Sequence, residues 1–295
     1  MDSHNVSRRQ FLKFTALSTT AAALSGCAST SAAVRSSGSA ASSADSASGG
    51  GTIRLGVASY SLRNFSRVQA IEMTRSLGVR YINFKSMHLP YDASPAEFAA
   101  AREQLKAAGL ELVGGGMITF EADTDAGVQK YFDYAKAAGM PTIVCTCSPA
   151  TLPRIEKFAK QYDIKVAIHN HGPEDPNFPS PFDALKAVEG MDPLMGLCID
   201  LGHTVRAGAD PVRAIAAAGA RLHDMHAKDL RDFNSADSQC VVGEGKMPIA
   251  EIFGQLRAIG YRGYVNLEYE IEPENPMPGM RKSFAFMRSV SAPVG

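Results

Sequence analysis

Imidazole and acidic side chains stand at the ends of four successive β-rich segments in the second half of the chain. These segments end in Ile168-His169-Asn170-His171, Ile199-Asp200-Leu201-Gly202-His203, Met225-His226-Ala227-Lys228 and Leu267-Glu268-Tyr269-Glu270. Because strand residues alternate, His169 shares a face with His171, and His226 shares a face with Lys228. Unpaired imidazoles and carboxylates are costly to bury, whereas a divalent cation gathers such groups as ligands. The four segments therefore predict one divalent metal.

The elements that must position these groups are short strands that alternate with Ala-rich helical patterns from Thr52 onward. Ser94 and Pro95 indicate a helix start, and Gly109 is typical of a helix end. Alternation of this kind indicates parallel strands, and eight units in about 240 residues predict a single-domain α/β fold, the (β/α)8 TIM barrel. The predicted strands are Ile53–Ser59, Arg80–Lys85, Glu111–Met117, Thr142–Cys147, Lys165–His171, Met195–Asp200, Arg221–Lys228 and Gly263–Glu270.

An open, doubly wound sheet is the alternative α/β architecture. Such a sheet usually carries a glycine-rich phosphate turn after its first strand. That place holds Tyr60-Ser61-Leu62-Arg63-Asn64-Phe65 here, which contains no glycine. In a closed barrel, catalytic groups lie at the C-terminal strand ends, where the polar residues of this chain fall.

The first residues of the chain are typical of an export signal. Ser7-Arg8-Arg9-Gln10-Phe11-Leu12-Lys13 precedes a short, mildly apolar stretch, as in twin-arginine signal peptides. Leu24-Ser25-Gly26-Cys27 resembles a bacterial lipobox, in which the cysteine is acylated. We therefore predict a signal peptide over 1–26, a Ser/Ala/Gly-rich flexible tether over 27–51 and the barrel over 52–292. The protein is expected in the periplasm, tied to the membrane only through lipid on Cys27.

Composition limits the classes of partner. Lys+Arg and Asp+Glu are equal at 30 each, and this balance argues against a nucleic-acid partner. Hydrophobic residues make up 45% and charged residues 20%, as is typical of a globular domain. Cys145 and Cys147 diverge along one predicted strand, so we interpret them as core residues and not as a disulfide. Self-association into a homo-oligomer is left open.

The polar motifs at the strand ends resemble those of the xylose isomerase-like barrels, also called the sugar phosphate isomerase/epimerase or AP endonuclease family 2 superfamily. The resemblance covers roughly Ile53 to Arg288. In the ketose 3-epimerases of that superfamily, a glutamate, an aspartate, a histidine and a glutamate at the ends of strands five to eight hold one metal. The motifs that carry the resemblance are Ile199-Asp200-Leu201-Gly202-His203, His226-Ala227-Lys228-Asp229, Gly243-Glu244-Gly245 and Asn266-Leu267-Glu268.

The resemblance implies Asp200, His226 and Glu268 as metal ligands and places His169 where the first glutamate stands. This is a departure, and whether His169 or His171 is the ligand stays open. An imidazole ligand suits Mn, Co, Fe or Zn and makes Mg less suitable. The implied catalytic residues are Glu268, His171 and Lys228. The implied substrate-binding residues are His203, Arg206, Glu244 and Tyr60.

The reaction implied by the resemblance is isomerisation or epimerisation of a non-phosphorylated carbohydrate. Glu268 would remove a proton next to a carbonyl, and the metal with Lys228 would stabilise the resulting charge. Those epimerases use two opposed glutamates, and only Glu268 remains here, so His171 is the candidate second base.

The alternative is a lyase or dehydratase that acts on a keto-sugar or 3-keto-glycoside by β-elimination. His171 or His203 would then protonate the leaving group, and the missing glutamate and the export signal favour this reading. A non-catalytic carbohydrate-binding lipoprotein is less favoured. A DNA-repair nuclease is disfavoured because the third strand, with Val113-Gly114-Gly115-Gly116-Met117, lacks the histidines that such enzymes need.

The lipobox interpretation makes a first prediction. Substitution Cys27→Ala removes the acylation site, so the protein should leave the membrane fraction while the catalytic properties of its barrel stay unchanged. Acylation adds membrane affinity of about 0.8 kcal/mol per buried CH2, and no other segment is predicted to anchor the chain. Fractionation of cells followed by immunodetection measures the distribution, with Cys145→Ala as a control for loss of a cysteine. A Cys27→Ala protein that sediments with membranes would contradict the lipobox.

Overall fold

Parallel strands form the wall of a closed barrel in the computed structural model, which describes residues 53–291. The wall strands are joined in parallel to their neighbours, and the last closes on the first through pairs such as Leu55 with Val265. The predicted TIM barrel is therefore confirmed. The strands are β1 (Arg54–Ala58), β2 (Tyr81–Phe84), β3 (Glu111–Phe120), β4 (Thr142–Cys147), β5 (Lys165–His169), β6 (Met195–Asp200), β7 (Leu222–Ala227), the short β8 (Asp229–Leu230) and β9 (Gln239–Cys240) outside the wall, and β10 (Tyr264–Leu267).

Helices connect the strands of the wall. Ser94 caps the second helix with a reciprocal capping box to Glu97, and Gly109 ends it in the left-handed region at φ 68°. None of the helices within residues 53–291 combines the length and apolar character needed to cross a membrane. The helices are α1 (Arg67–Ser76), α2 (Pro95–Ala108), α3 (Asp125–Ala138), α4 (Leu152–Tyr162), α5 (Pro181–Ala187), α6 (Leu201–Arg206), α7 (Pro211–Ala218), α8 (Ile249–Ala258) and α9 (Met277–Ser291).

Two clusters of buried apolar side chains fill the barrel. The larger one contains strand residues such as Ile143 and helix residues such as Phe132 and Phe253. The smaller one consists of Val144, Ala167 and Cys198. Strand alternation puts Ala167 on the face of His169, and Cys198 on the face of Asp200, so this small cluster lies beneath the polar strand ends.

The structure corrects several predicted strand ends. β5 stops at His169, and the N–H of His171 instead donates to the Phe178 carbonyl in a loop, so His171 is not a strand residue. Glu268 and Glu270 follow β10, which stops at Leu267. In contrast, β3 continues to Phe120, three residues beyond the predicted end. Each strand ends where pairing with its neighbours ends, a property of the assembled sheet that the local pattern does not contain.

A buried carboxylate organises the long connection between β7 and β10. Asp229 accepts hydrogen bonds from the backbone N–H groups of Gly243, Gly245 and Met247 at 2.9–3.1 Å. A Cβ atom on Gly245 would lie 2.1 Å from Asp229 Oδ1, so only glycine fits this approach. The short antiparallel pair β8–β9, which the sequence analysis did not predict, begins at the same aspartate.

Substitution Asp229→Ala should therefore destabilise the barrel. Backbone N–H groups would lose their shared acceptor, and the free energy of unfolding should fall by about 3 kcal/mol, given that a buried donor left unsatisfied costs about 1–3 kcal/mol. Urea unfolding followed by circular dichroism measures this change. Asp92→Ala, at an exposed position, is the matched control and should change stability by less than about 0.5 kcal/mol. Equal stabilities of the two variants would show that the loop does not depend on Asp229.

Candidate metal centre

Four side chains from four neighbouring strand ends meet at one point. His169, Asp200, His226 and Glu268 each offer one nitrogen or oxygen atom, and these atoms all lie within 4.8 Å of one another. His169 Nε2 lies 3.1 Å from His226 Nδ1 and 3.6 Å from Asp200 Oδ2, and His226 Nδ1 lies 3.1 Å from Glu268 Oε2. All four residues are buried. The structure thus brings together the ligand set that the family resemblance implied.

The backbone around Asp200 shows how one of these groups is aimed. Asp200 ends β6 and serves as the N-cap of α6, because its Oδ1 accepts from the N–H of His203 at 2.9 Å. The side chain of Asn170 clamps the same residue, accepting from the Asp200 N–H at 2.9 Å and donating to its carbonyl. With Oδ1 held by the helix, Oδ2 is left for the cluster.

The four groups fit a divalent cation. Asp200 Oδ2 is buried, and within residues 53–291 no donor is aligned with it for a hydrogen bond, although Lys228 Nζ lies 3.0 Å away in an ion pair. Tetrahedral ligands at roughly 2.1 Å from a metal are about 3.4 Å apart, and His226 Nδ1 lies 3.1–3.9 Å from the donor atoms of the other three residues. Two imidazoles with two carboxylates form a donor set suited to borderline metals.

The protonation states of three of the four groups suit metal ligands, whereas burial alone would lower the pKa of His226 but the neighbouring Glu268 outweighs it and raises that pKa. Burial, together with the neighbouring His226, lowers the pKa of His169 to about 3, so this imidazole is neutral at pH 7. Burial alone would raise the pKa of Asp200, but Lys228, His203 and His169 outweigh it and hold that pKa well below its usual range. Burial opposes ionisation of Glu268 as well, yet the positive charges nearby keep its pKa low. Both carboxylates are therefore ionised.

Two ammonium groups form ion pairs with the carboxylates of the cluster. Lys228 Nζ lies 3.0 Å from Asp200 Oδ2 and 3.1 Å from Glu268 Oε2, and it also pairs with Glu270. These partners outweigh burial and raise the pKa of Lys228 well above its usual value. Lys85 Nζ lies 3.5 Å from Glu268 Oε1. Three carboxylates thus face two ammonium groups, and His226 adds a further basic group 3.1 Å from Glu268 Oε2.

Lys85 was missed by the sequence analysis. It lies at the last position of the predicted strand Arg80–Lys85, where the rule used for the other strands would have identified it. Tyr60, a predicted substrate-binding residue, lies beside it, with Lys85 Nζ 5.1 Å from the centre of the Tyr60 ring. The structure therefore places Tyr60 near the cluster, on the side of Glu268.

A second polar layer that the sequence analysis also missed lies within the barrel. Asp224, two residues before His226 on β7, accepts hydrogen bonds from Asn83 Nδ2 at 3.2 Å and Asn266 Nδ2 at 2.7 Å. Burial raises the pKa of Asp224 to about 6 despite these donors. The alternation of Asp224 with His226, and of Asn266 with Glu268, was the available signal. This layer ties β2, β7 and β10 together inside the barrel.

A cavity of about 420 Å³ adjoins the cluster. Its wall includes Lys228, Glu270, Gln239 and two of the predicted substrate-binding residues, His203 and Arg206. A larger cavity of about 620 Å³ is lined by residues at the N-terminal strand ends, such as Thr142, Lys165 and Leu222. Catalytic groups of such barrels lie at the C-terminal ends, so we take the smaller cavity as the candidate substrate site.

Two further predicted site residues are placed differently. The ring of His171 is exposed and lies over His203, with 4.5 Å between ring centres and 5.7 Å to His169. Of the two candidate histidines, His169 is the one within the cluster.

Glu244 is not brought to the cluster, because its carboxylate faces Arg231 at 3.3 Å and Lys282 at 3.8 Å on the surface. The Asp229 hydrogen bonds hold the Glu244 loop in that position. Cys27 lies outside the described residues.

Comparison with known proteins agrees with the closed barrel. Residues 68–290 match the family described as xylose isomerase-like TIM barrel, and residues 5–25 match the twin-arginine translocation signal sequence. The chain therefore belongs to the xylose isomerase-like TIM barrel family, and it carries a signal for export by the twin-arginine pathway.

Individual relatives share only part of the chain. An uncharacterised protein of Methanocaldococcus jannaschii is 30% identical over 127 residues, covering 40% of this chain and 41% of its own. An inosose dehydratase of Clostridium tetani is 28% identical over 143 residues, covering 43% of this chain and 47% of its own. The matched segments thus span less than half of either relative. A solved structure from Parabacteroides distasonis, of an uncharacterised protein, has a TM-score of 0.64 at 26% identity and covers 80% of this chain and 98% of its own.

The geometry predicts that His226→Ala loses divalent metal. Removal of a ligand should weaken binding by more than the about 10–100-fold that loss of an outer partner typically costs. Metal content after dialysis, and titration of the stripped protein with zinc, measure the effect. His223→Ala is the matched control, because His223 lies on the same strand and bonds instead to the Pro193 carbonyl at 3.1 Å. Retention of metal by His226→Ala, or equal loss in the control, would contradict the site.

Proposed function

We propose that this chain is a divalent-metal-dependent isomerase or epimerase that acts on a non-phosphorylated carbohydrate by moving a proton next to a carbonyl group. The observation that carries the proposal is the position of Glu268. This carboxylate stands among two imidazoles, a second carboxylate and two ammonium groups, and one of the ammonium groups, that of Lys228, also lines a cavity large enough for a sugar. Small-molecule sites are typically cavities of about 300–1,000 Å³.

The metal would be held by His169, Asp200, His226 and Glu268. We expect this site to bind Mn, Co, Fe or Zn more readily than Mg. When bound, a divalent cation acts as a Lewis acid that polarises a carbonyl oxygen. The neutral imidazole of His169 in place of a carboxylate supports this choice, because Mg prefers oxygen ligands.

The chain's own groups would carry the proton. Glu268 is ionised and can accept a proton from a carbon next to the substrate carbonyl. Lys228 and Lys85, which lie 3.1 Å and 3.5 Å from the two Glu268 oxygens, keep positive charge where negative charge would develop on the substrate. His171, at the exposed mouth, remains the candidate second base.

Charge pairing around the cavity supports a neutral substrate. Lys228 is committed to three carboxylates, and Arg206 is paired with Glu174. A phosphate group would require cationic groups free to bind it, and the cavity lining pairs its cations with acids. An unphosphorylated sugar or glycoside needs only hydrogen-bonding groups.

A second candidate is a lyase or dehydratase that eliminates a β-substituent from a keto-sugar or 3-keto-glycoside. The observation that favours it is His203, an imidazole on the cavity wall that could protonate a leaving group. The relative from Clostridium tetani, named as an inosose dehydratase, supports the same class of reaction. Both candidates begin with proton removal by Glu268.

The proposed location is the periplasm, with lipid on Cys27 as the attachment to the membrane. The twin-arginine signal supports export, and the lipobox-like Leu24-Ser25-Gly26-Cys27 supports the anchor. The proposed partner is a small carbohydrate and not a nucleic acid, in line with the equal numbers of basic and acidic residues.

Glu268→Gln should reduce turnover more strongly than substrate binding. Glutamine keeps the size of the side chain but cannot accept the proton, and loss of a general base commonly lowers the rate by about 10²–10⁴-fold. Turnover of free sugars, 3-keto-sugars and glycosides, followed by NMR in heavy water with metal content measured in parallel, tests this. Glu251→Gln, an exposed glutamate on α8, is the matched control and should keep full activity.

The same experiment separates the two candidates. An isomerase or epimerase should incorporate deuterium into a product of unchanged composition, whereas a lyase should yield an unsaturated sugar and a separate leaving molecule. Near-full turnover by metal-loaded Glu268→Gln would exclude proton removal by this residue. Sugar binding without turnover by the wild-type protein would indicate a non-catalytic binding protein.

A further inference from the structure

Two residues that line the cavity, His203 and Arg206, contact each other, and Arg206 also contacts Glu174, which is exposed at the surface. Arg206 Nη1 lies 3.3 Å from His203 Nδ1, and Arg206 Nη2 pairs with the Glu174 carboxylate. The Arg206 side chain is only 11% exposed, whereas the Glu174 side chain is 61% exposed, so the ion pair between them reaches the surface. The guanidinium is therefore held between a carboxylate and an imidazole, and not left free in the cavity.

The chemistry of arginine determines which His203 nitrogen carries the proton. A guanidinium has five N–H donors, no acceptor, and stays protonated in proteins. A hydrogen bond from Arg206 therefore requires a lone pair on His203 Nδ1. A proton on Nδ1, either in the other neutral tautomer or in the imidazolium, would set two N–H groups against each other. The contact is consistent only with a neutral ring protonated at Nε2.

Gly172 gives an independent indication that the loop after β5 is built around this contact. Its φ is +88°, in the left-handed region that favours glycine. A Cβ atom at this position would lie 3.0 Å from His203 Nδ1, 3.0 Å from Glu174 Oε2 and 3.3 Å from Arg206 Nη1. The backbone at residue 172 thus closes over all three groups, and a side chain there would displace them.

We infer that Glu174 and Arg206 are positioning residues that hold His203 as the neutral Nε2–H tautomer, so that His203 presents a hydrogen-bond donor to the substrate. His203 lines the cavity beside Lys228, and Nε2 is the ring nitrogen that Arg206 does not contact. Within the described part of the chain, Nε2 has no hydrogen-bond partner. The group it would bind is a hydroxyl or carbonyl oxygen of the sugar.

This inference revises the role expected of Arg206. The sequence analysis expected its guanidinium to bind substrate directly, whereas the structure points to an action through His203. The use of the Nε2–H group in a reaction rests on the proposed function, but the tautomer itself does not. The tautomer can therefore be tested without a substrate.

The test is NMR of the full chain labelled with ¹⁵N-histidine, recorded with zinc and without added metal. Two-bond ¹H–¹⁵N correlations distinguish a protonated from an unprotonated ring nitrogen, and the His203→Gln spectrum identifies the His203 signals. In the wild type, Nε2 should be protonated and Nδ1 unprotonated. In Arg206→Leu, which removes the donor, His203 should shift to a mixture of both tautomers or to the Nδ1–H form.

Two further variants separate positioning from a general structural effect. Arg206→Lys keeps a cationic donor and should restore the Nε2–H tautomer at least in part. Arg213→Leu, at an exposed position on α7, should leave the His203 signals unchanged. A protonated Nδ1 in the wild type, or wild-type signals in Arg206→Leu, would overturn the inference. Absence of enzymatic turnover would overturn the proposed function alone, because the spectra require no substrate.

Discussion

Burial of opposite charges at one end of the barrel is the constraint on which the rest of the site depends. Asp200 and Glu268 are almost completely shielded from water, and Lys228 lies within 3.1 Å of both. Taking such groups out of water costs several kcal/mol for each ion, and the cost is recovered only if partners are held at bonding distance. The closed wall of parallel strands meets this requirement, because it fixes the ends of β5, β6, β7 and β10 next to one another. A divalent cation would give the two carboxylates a further positive partner.

The surrounding structure limits how these charged groups can move. Asn170 clamps the backbone of Asp200, and α6 occupies one of the Asp200 carboxylate oxygens. Asp229 draws the long connection before α8 onto its carboxylate, which keeps the Glu244 loop at the surface and away from the cluster. Below the cluster, the small side chains of Ala167 and Cys198 fill the interior. Functional groups held by packing and by outer hydrogen bonds are the arrangement expected of a preorganised site.

The substitution of histidine for the first glutamate changes both the charge and the chemistry of the centre. Two carboxylates and two imidazoles around a divalent cation are electrically neutral, whereas a third carboxylate would leave a negative charge. The neutral state of His169 follows from its burial, which lowers its pKa to about 3. In the proposed reaction Glu268 is the one carboxylate base, so a proton donor on the other side of the substrate would come from an imidazole. The structure offers two such imidazoles. His203 contacts Arg206, and the exposed ring of His171 lies against the His203 ring.

The sequence by itself determined the alternation of strands and helices, the barrel, and the polar positions at the strand ends, because these depend on period-two alternation, helix caps and chain order. The boundaries of β5 and β10 were placed too late along the chain, and the pair β8–β9 was absent from the prediction, because pairing partners decide where a strand stops. Strand ends and alternation pointed to Lys85 and Asp224, but the groups that these residues contact were decided only when distant strands met. The separation of His169 from His171 was likewise decided by tertiary structure. Alternation assigned both to one face, but β5 ends between them, and the loop hydrogen bond to Phe178 carries His171 out to the mouth.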